Sequence, residues 1–183
     1  LEPVPITYQV DDISEFDTDD ILVFTDCSEK GNYAHALRDT GKKYRGFSLS
    51  KRGPLWKGRY GDRKLTIACA SDSTHLGSDY DIVNLRGHTQ DMIRLYSAAK
   101  EHFANHTLLV LGGCSGADFI DDFARSNVAV LGRSGSQNTA TNNYLLLQLP
   151  KAVEESTSWT GLDQFLANKS DIFRDQFQSP GRY

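Results

Sequence analysis

Four short apolar runs, Ile21–Phe24, Tyr80–Leu85, Leu108–Leu111 and Val128–Leu131, constrain the fold of this chain more than any other feature. Each is too short for a buried helix, and all but Tyr80–Leu85, which carries Asp81 and Asn84, are too continuously apolar for a strand with one wet face. Such runs belong to strands covered on both faces, the condition of a parallel sheet between layers of helix. The stretches between them carry helical spacing. Tyr33 to Asp39 is one, and Met92, Ile93, Tyr96, Ala99 and Phe103 mark a second between Gln90 and Ala104. The alternation predicts an α/β fold with a mostly parallel sheet flanked by helices. Tyr44 to Ala70 reads differently, as hairpin material, with a turn at Tyr60–Lys64 and strand composition over Leu65–Ala70. Beyond the fourth run, a polar loop at 133–138 precedes a helix from Thr139 to about Leu149. An amphipathic segment follows at Trp159–Asn168, and a last helix is expected from Asp171.

The 183 residues suit a single domain. Its expected parts are a polar lead-in at 1–19, a core at 20–150 and a helical C-terminal segment at 151–183. A net charge of −4, with acids and bases interspersed, leaves no basic footprint for nucleic acid. No run approaches the roughly 20 apolar residues of a membrane span, so neither nucleic acid nor membrane is an expected partner. The five histidines show no tight ligand spacing, and no metal or other cofactor is expected. His102 and His106 straddle a helix end that they are expected to cap or solvate. Three cysteines without a CxxC pair favour free thiols and an intracellular setting. The chain opens at Leu1, which is compatible with a removed leader. Oligomeric state is not marked in the sequence.

Functional groups of such sheets collect beyond the carboxyl ends of the strands. Three segments fall there: Thr25-Asp26-Cys27, Arg86-Gly87-His88-Thr89 and Gly112-Gly113-Cys114-Ser115-Gly116. His88 and Cys114 are separated by about one strand–helix–strand crossover, which brings them to one edge if their strands are neighbours. A thiol is only a few per cent ionised at neutral pH. An imidazole and the amino end of the helix after Cys114 are the two features that would activate it. Gly112, Gly113 and Gly116 leave the backbone open to a substrate carbonyl. The N–H groups of Cys114 and Thr89, flanked by Gly87 and Gly113, are candidates to hold an oxyanion. The plainer alternative is a small buried cysteine and an ordinary Gly-His turn.

At these residues the sequence resembles the caspase-like cysteine peptidases, the group that includes caspases, gingipains, clostripain, legumain and separase. In that group one strand ends in the histidine motif and the next parallel strand in the cysteine motif. Asp81–His88 and Leu108–Cys114 match in order and context. The resemblance runs loosely from residue 20 to 150 and implies an α/β/α sandwich, a Cys114/His88 dyad and a protein or peptide substrate. It differs in one detail, since Gly87 precedes His88 and Thr89 follows it. In several relatives an acid near the end of the first strand selects a basic side chain. Asp26 holds that place and implies cleavage after Arg or Lys; otherwise it caps a turn. The loop after the fourth run, with Ser134, Gly135 and Ser136, falls where the family builds part of its pocket. Asp118, Asp121 and Asp122 read mainly as first-turn carboxylates. Cys27 follows Asp26 directly, and an oxidative pairing with Cys114 is open, although a core or turn role suits it better.

Readings from other classes compete. Gly112-Gly113-Cys114-Ser115-Gly116-Ala117-Asp118 also resembles the Gly-Gly-x-x-Gly-Ala-Asp turn of Rossmann-like nucleotide-sensing domains. Exposed N–H groups ahead of a helix suit phosphate. That reading leaves His88 idle and lacks both GxGxxG and a loop lysine. A cysteine phosphatase needs an arginine a few residues after the nucleophile, and residues 115–120 supply none. A peptidase-like domain without activity, used for interaction, is the remaining alternative.

Overall fold

The computed structural model describes residues 13–125, 127–133, 138–169 and 177–178. The parallel core consists of β1 (Asp20–Thr25), β4 (Arg63–Cys69), β5 (Tyr80–Arg86), β6 (Phe103–Gly112) and β7 (Val128–Arg133). Antiparallel β2 (Phe47–Arg52) and β3 (Leu55–Tyr60) extend one side, and β8 (Phe177–Gln178) lies on the other. The order across the sheet is β2-β3-β4-β1-β5-β6-β7-β8. Each apolar run named from the sequence lies within one of the parallel strands, and β2–β4 are the anticipated hairpin material. The α/β class with a mostly parallel sheet is therefore the observed one.

Two cores explain the runs. On one face Ile21, Val23, Ile67, Ile82, Leu108 and Val110 pack against α1 (Lys30–Gly41), α4 (Thr139–Glu155) and α5 (Trp159–Lys169). On the other, Leu22, Phe24, Val83, Leu85, Leu109 and Leu111 pack against α2 (Met92–Ala99) and α3 (Ile120–Phe123). Alternate side chains of one strand thus enter opposite cores, which is why polar residues are scarce along these strands.

The chain leaves β1 through α1 on one face and leaves β5 through α2 on the other. The connections diverge between β1 and β5, a topological switch point of the kind that opens a crevice beyond the strand ends.

Several sequence expectations are corrected. The first helix begins at Lys30 rather than Tyr33, and the fourth runs to Glu155 through Pro150. His102 and His106 do not cap a helix. His102 is buried and bonds the Gly77 carbonyl and Ser73, while His106 lies in β6 and meets Glu15. Residues Phe177–Gln178 form a strand against β7, within a segment expected to be helical; 170–176 and 179–183 lie outside the described residues. The 1–19 lead-in is not wholly peripheral, because Ile13 and Phe16 are buried. No helix of the described residues is long and apolar enough to cross a membrane.

Candidate functional site

Parallel register fixes the relation between the two principal candidates. Leu85 pairs with Leu111 and Arg86 with Gly112. His88 and Cys114 stand two residues beyond that last pair, in matched positions past the ends of neighbouring strands. The two exit loops touch. Thr89 Oγ1 donates to the Cys114 carbonyl at 2.6 Å, and a Cβ built on Gly113 would lie 3.1 Å from the Gly87 carbonyl oxygen. A side chain at 113 would crowd that carbonyl and the Met92 methyl by a few tenths of an ångström, which favours glycine there.

Each loop is held locally. The Asp91 carboxylate accepts from the His88 N–H at 3.1 Å and closes a short 3-10 turn. Desolvation is the largest single influence and acts upward, but hydrogen bonds from Arg94 and that N–H together outweigh it and keep the Asp91 carboxyl below the ordinary range. Ser115 takes a left-handed backbone, φ 54°, a conformation costing about 1–2 kcal/mol in a residue with a Cβ. Such strain directly after Cys114 turns the chain sharply at the sheet edge. His88 is exposed, and Cys114 is half-buried and takes no part in a disulfide. The helix expected after Cys114, with Phe119, Ile120 and Phe123 on its apolar side, is present but short. A 3-10 turn, Gly116–Phe119, leads into the four residues of α3, so little helix dipole reaches the thiol. Asp118 belongs to the turn, while Asp121 and Asp122 are exposed first-turn residues of α3.

At the switch point lies a cleft of about 450 Å³ lined by Asp26, Glu29, Tyr33, Gly87, His88 and Asp91, among others. Asp26 thus lies in one cleft with His88. Arg94 Nη1 reaches Asp26 at 2.7 Å and its Nη2 reaches Asp91 at 3.0 Å, drawing both carboxylates to one side. Glu29 was missed by sequence reasoning because it sits in the polar turn ahead of α1, where an acid is unremarkable. Ser134, Gly135 and Ser136 lie outside the described residues.

The cysteine expectation fails for two of the three thiols. Cys27 and Cys69 form a disulfide with Cα atoms 5.0 Å apart, so the partner of Cys27 is Cys69 and not Cys114. Thr25 at the end of β1 is in register with Cys69 at the end of β4, and Cys27 turns back across that edge to meet it. Beside the bond, buried Asp72 accepts from the Cys69 N–H at 2.9 Å and pairs with Lys30 at 2.7 Å. The loop bearing Asp26 and Glu29 is thus fastened at its base.

Arg86 is a second feature the sequence did not disclose. It is 1% exposed, its guanidinium lies 4.6 Å from the Tyr33 ring centre, and Nη1 donates to Asn143 of α4 at 2.7 Å. Among the described residues its Nε and Nη2 have no hydrogen-bond partner. Burial pulls it down to about 10. Because the folded value is depressed, the charge opposes folding at every pH below about 10, by about 3 kcal/mol, and the penalty fades as pH rises toward the unfolded value. Arg86→Met removes the buried charge, leaves Asn143 unpaired at about 1–3 kcal/mol, and keeps the volume. Its stability is expected to stay within about 2 kcal/mol of the parent, whereas Arg86→Ala should lose roughly 3–5 kcal/mol to the cavity. Denaturant titration separates the two; equal, large losses in both would show that the charge is fully compensated in the fold.

Among the described residues no group of three or more His, Cys, Asp or Glu side chains is placed to hold a metal ion.

No family model matches the chain, and no curated protein does. Among solved structures it is similar to a dimeric ketopantoate reductase from Staphylococcus aureus, at 12% identity and a TM-score of 0.36, over 69% of this chain and 56% of that one. It is also similar to the large terminase of a thermophilic bacteriophage in complex with ADP, at 10% identity and a TM-score of 0.41, over 90% of this chain and 40% of that one. The chain spans about half the length of these proteins, and likenesses this slight carry no chemistry over to it.

Proposed function

We propose that the chain is a cysteine-dependent hydrolase of peptide bonds, with Cys114 as nucleophile and His88 as its acid–base partner. The observation that carries the reading is the register of β5 and β6, whose last pair, Arg86 and Gly112, lies two residues before His88 and Cys114, with the exit loops bonded by Thr89. In this mechanism the Cys114 thiolate attacks the substrate carbonyl, and the C–N bond breaks as His88 gives a proton to the leaving amine. His88 then takes a proton from water, whose oxygen attacks the thioester and returns Cys114 to thiolate. The N–H groups of Cys114 and Thr89 are the proposed oxyanion donors.

The acidity of the cleft, whose lining includes His88 but not Cys114, supports a basic side chain in the substrate. Asp26, Glu29 and Asp91 line it beside His88. Arg94 engages Asp26 and Asp91, so the cleft keeps a negative excess and favours an Arg or Lys side chain before the cleaved bond.

A second reading, a nucleotide-binding module, draws on the same switch-point position, where sheets of this kind commonly hold cofactors. The acidic lining opposes phosphate, and the short turn and α3 after Gly112–Gly116 supply little dipole for it.

The test is labelling of the full chain with a thiol-reactive peptide probe ending in Arg, mapped by mass spectrometry. Selective modification of Cys114 is expected, with labelling at least about tenfold slower in His88→Ala. Asp26→Asn should reduce the preference for Arg over a neutral probe. An unchanged preference would remove the pocket assignment alone. Absent or indiscriminate labelling, with nucleotide raising the melting temperature, would replace the hydrolase by the second reading.

A further inference from the structure

Charge in this chain is less evenly spread than its net −4 implies. Nine of its 20 lysines and arginines lie between residues 42 and 64, beside a single acid, Asp62. That interval is the antiparallel extension of the sheet, and strand alternation sorts its side chains. Leu49, Trp56, Leu65 and Ile67 enter the core beneath α1 and α4. Ser48, Ser50 and Arg52 of β2, Lys57 and Arg59 of β3, and Lys64 of β4 point to the opposite face and are exposed. On that face α2 and α3 cover the parallel strands, and the extension is left as a groove of about 470 Å³.

The cations are not neutralised locally. Arg59 stands directly across from Lys64, a like-charge pairing that costs up to about 1 kcal/mol. Among the described residues Arg52, Lys57, Arg59 and Lys64 make no ion pair within 4.0 Å. Asp20 and Asp79, at the margin, are the groove's acids.

We propose that this face is a docking surface for an acidic polypeptide segment in extended conformation. Lys57 and Arg59, two apart on one strand, match carboxylates two apart on another strand. Ser48 and Ser50 add hydroxyl donors, and β2, first in the sheet order, is an edge on which a further strand can pair. The other polyanions fit less well. The groove's one aromatic is Tyr80, half-buried at its margin, so no platform is offered for stacking bases. The one large exposed hydrophobic side chain among the described residues, Ile93, belongs to α2 and gives this face no anchor in a bilayer. The surface is independent of the chemistry assigned to Cys114, since the groove follows the amino-terminal halves of β4 and β5.

The experiment is fluorescence anisotropy on the full chain with a labelled peptide of alternating glutamate and serine, at low and physiological salt. Binding is expected, weakened by salt and weakened about tenfold or more in K57E/R59E. The milder Lys57→Ser/Arg59→Ser variant, with circular dichroism alongside, covers a folding failure of the reversal. An oligothymidylate and phosphatidylserine vesicles are the comparison probes. Tighter binding to either, no binding of the peptide, or binding indifferent to both variants would overturn the proposal.

Discussion

Replacing Cys114 by alanine is expected to lower hydrolysis of an arginine-containing peptide by about 10⁴-fold or more, the scale seen when a covalent nucleophile is removed. The fold should be untouched, because Cys114 is half-buried in an exit loop and belongs to neither apolar core. The loss should appear in kcat with little change in substrate binding, since the cleft walls at Asp26, Glu29 and Tyr33 remain. His88→Ala is expected to approach the same loss, because attack and departure of the amine act as one unit. Steady-state hydrolysis and a thermal melt on the same preparation check both parts. Full turnover in Cys114→Ala would end the assignment, whatever the probe had labelled.

The second large effect concerns stability. Removing the Cys27–Cys69 bond with paired serine substitutions frees a chain segment with a sequence separation of 42. Loop-closure entropy puts the loss near 4 kcal/mol, and for a chain of this size that lowers the melting temperature by roughly 10 °C. Reductant added to the parent should move its melting curve toward that of the variant. An unchanged melting temperature in the double variant would mean that Asp72, Lys30 and the β1–β4 ladder hold this edge unaided. The change should also reach the cleft, because Asp26 precedes Cys27 directly.

Parallel strands β1, β6 and β7 were legible because burial on both faces leaves an uninterrupted apolar run, visible at Leu108–Leu111 without knowledge of its neighbours, whereas β4 read as hairpin material. The proposed pair His88 and Cys114 could be singled out for a related reason, since each stands three residues past such a run. What escaped were pairings between segments distant in the chain. The disulfide depends on β4 lying next to β1, and no residue of either strand records that adjacency. The burial of Arg86 escaped because nothing in the sequence shows Tyr33 and Asn143 closing over it. The basic face was hidden by averaging, because the acids that balance Lys57, Arg59 and Lys64 lie elsewhere in the chain.

The place of β1 has a consequence for how the molecule is made. It is the first of the described strands to be synthesised, yet it needs β4 on one edge and β5 on the other. Thr25 must wait for the carbonyl of Arg86, 61 residues later in the chain. At synthesis rates of about 5–20 residues per second, that is roughly 3–12 seconds before both edges of this apolar strand can be paired. Binding by a chaperone, or a pause in elongation near the β5 exit, would therefore influence yield through β1 more than through any residue of the candidate site.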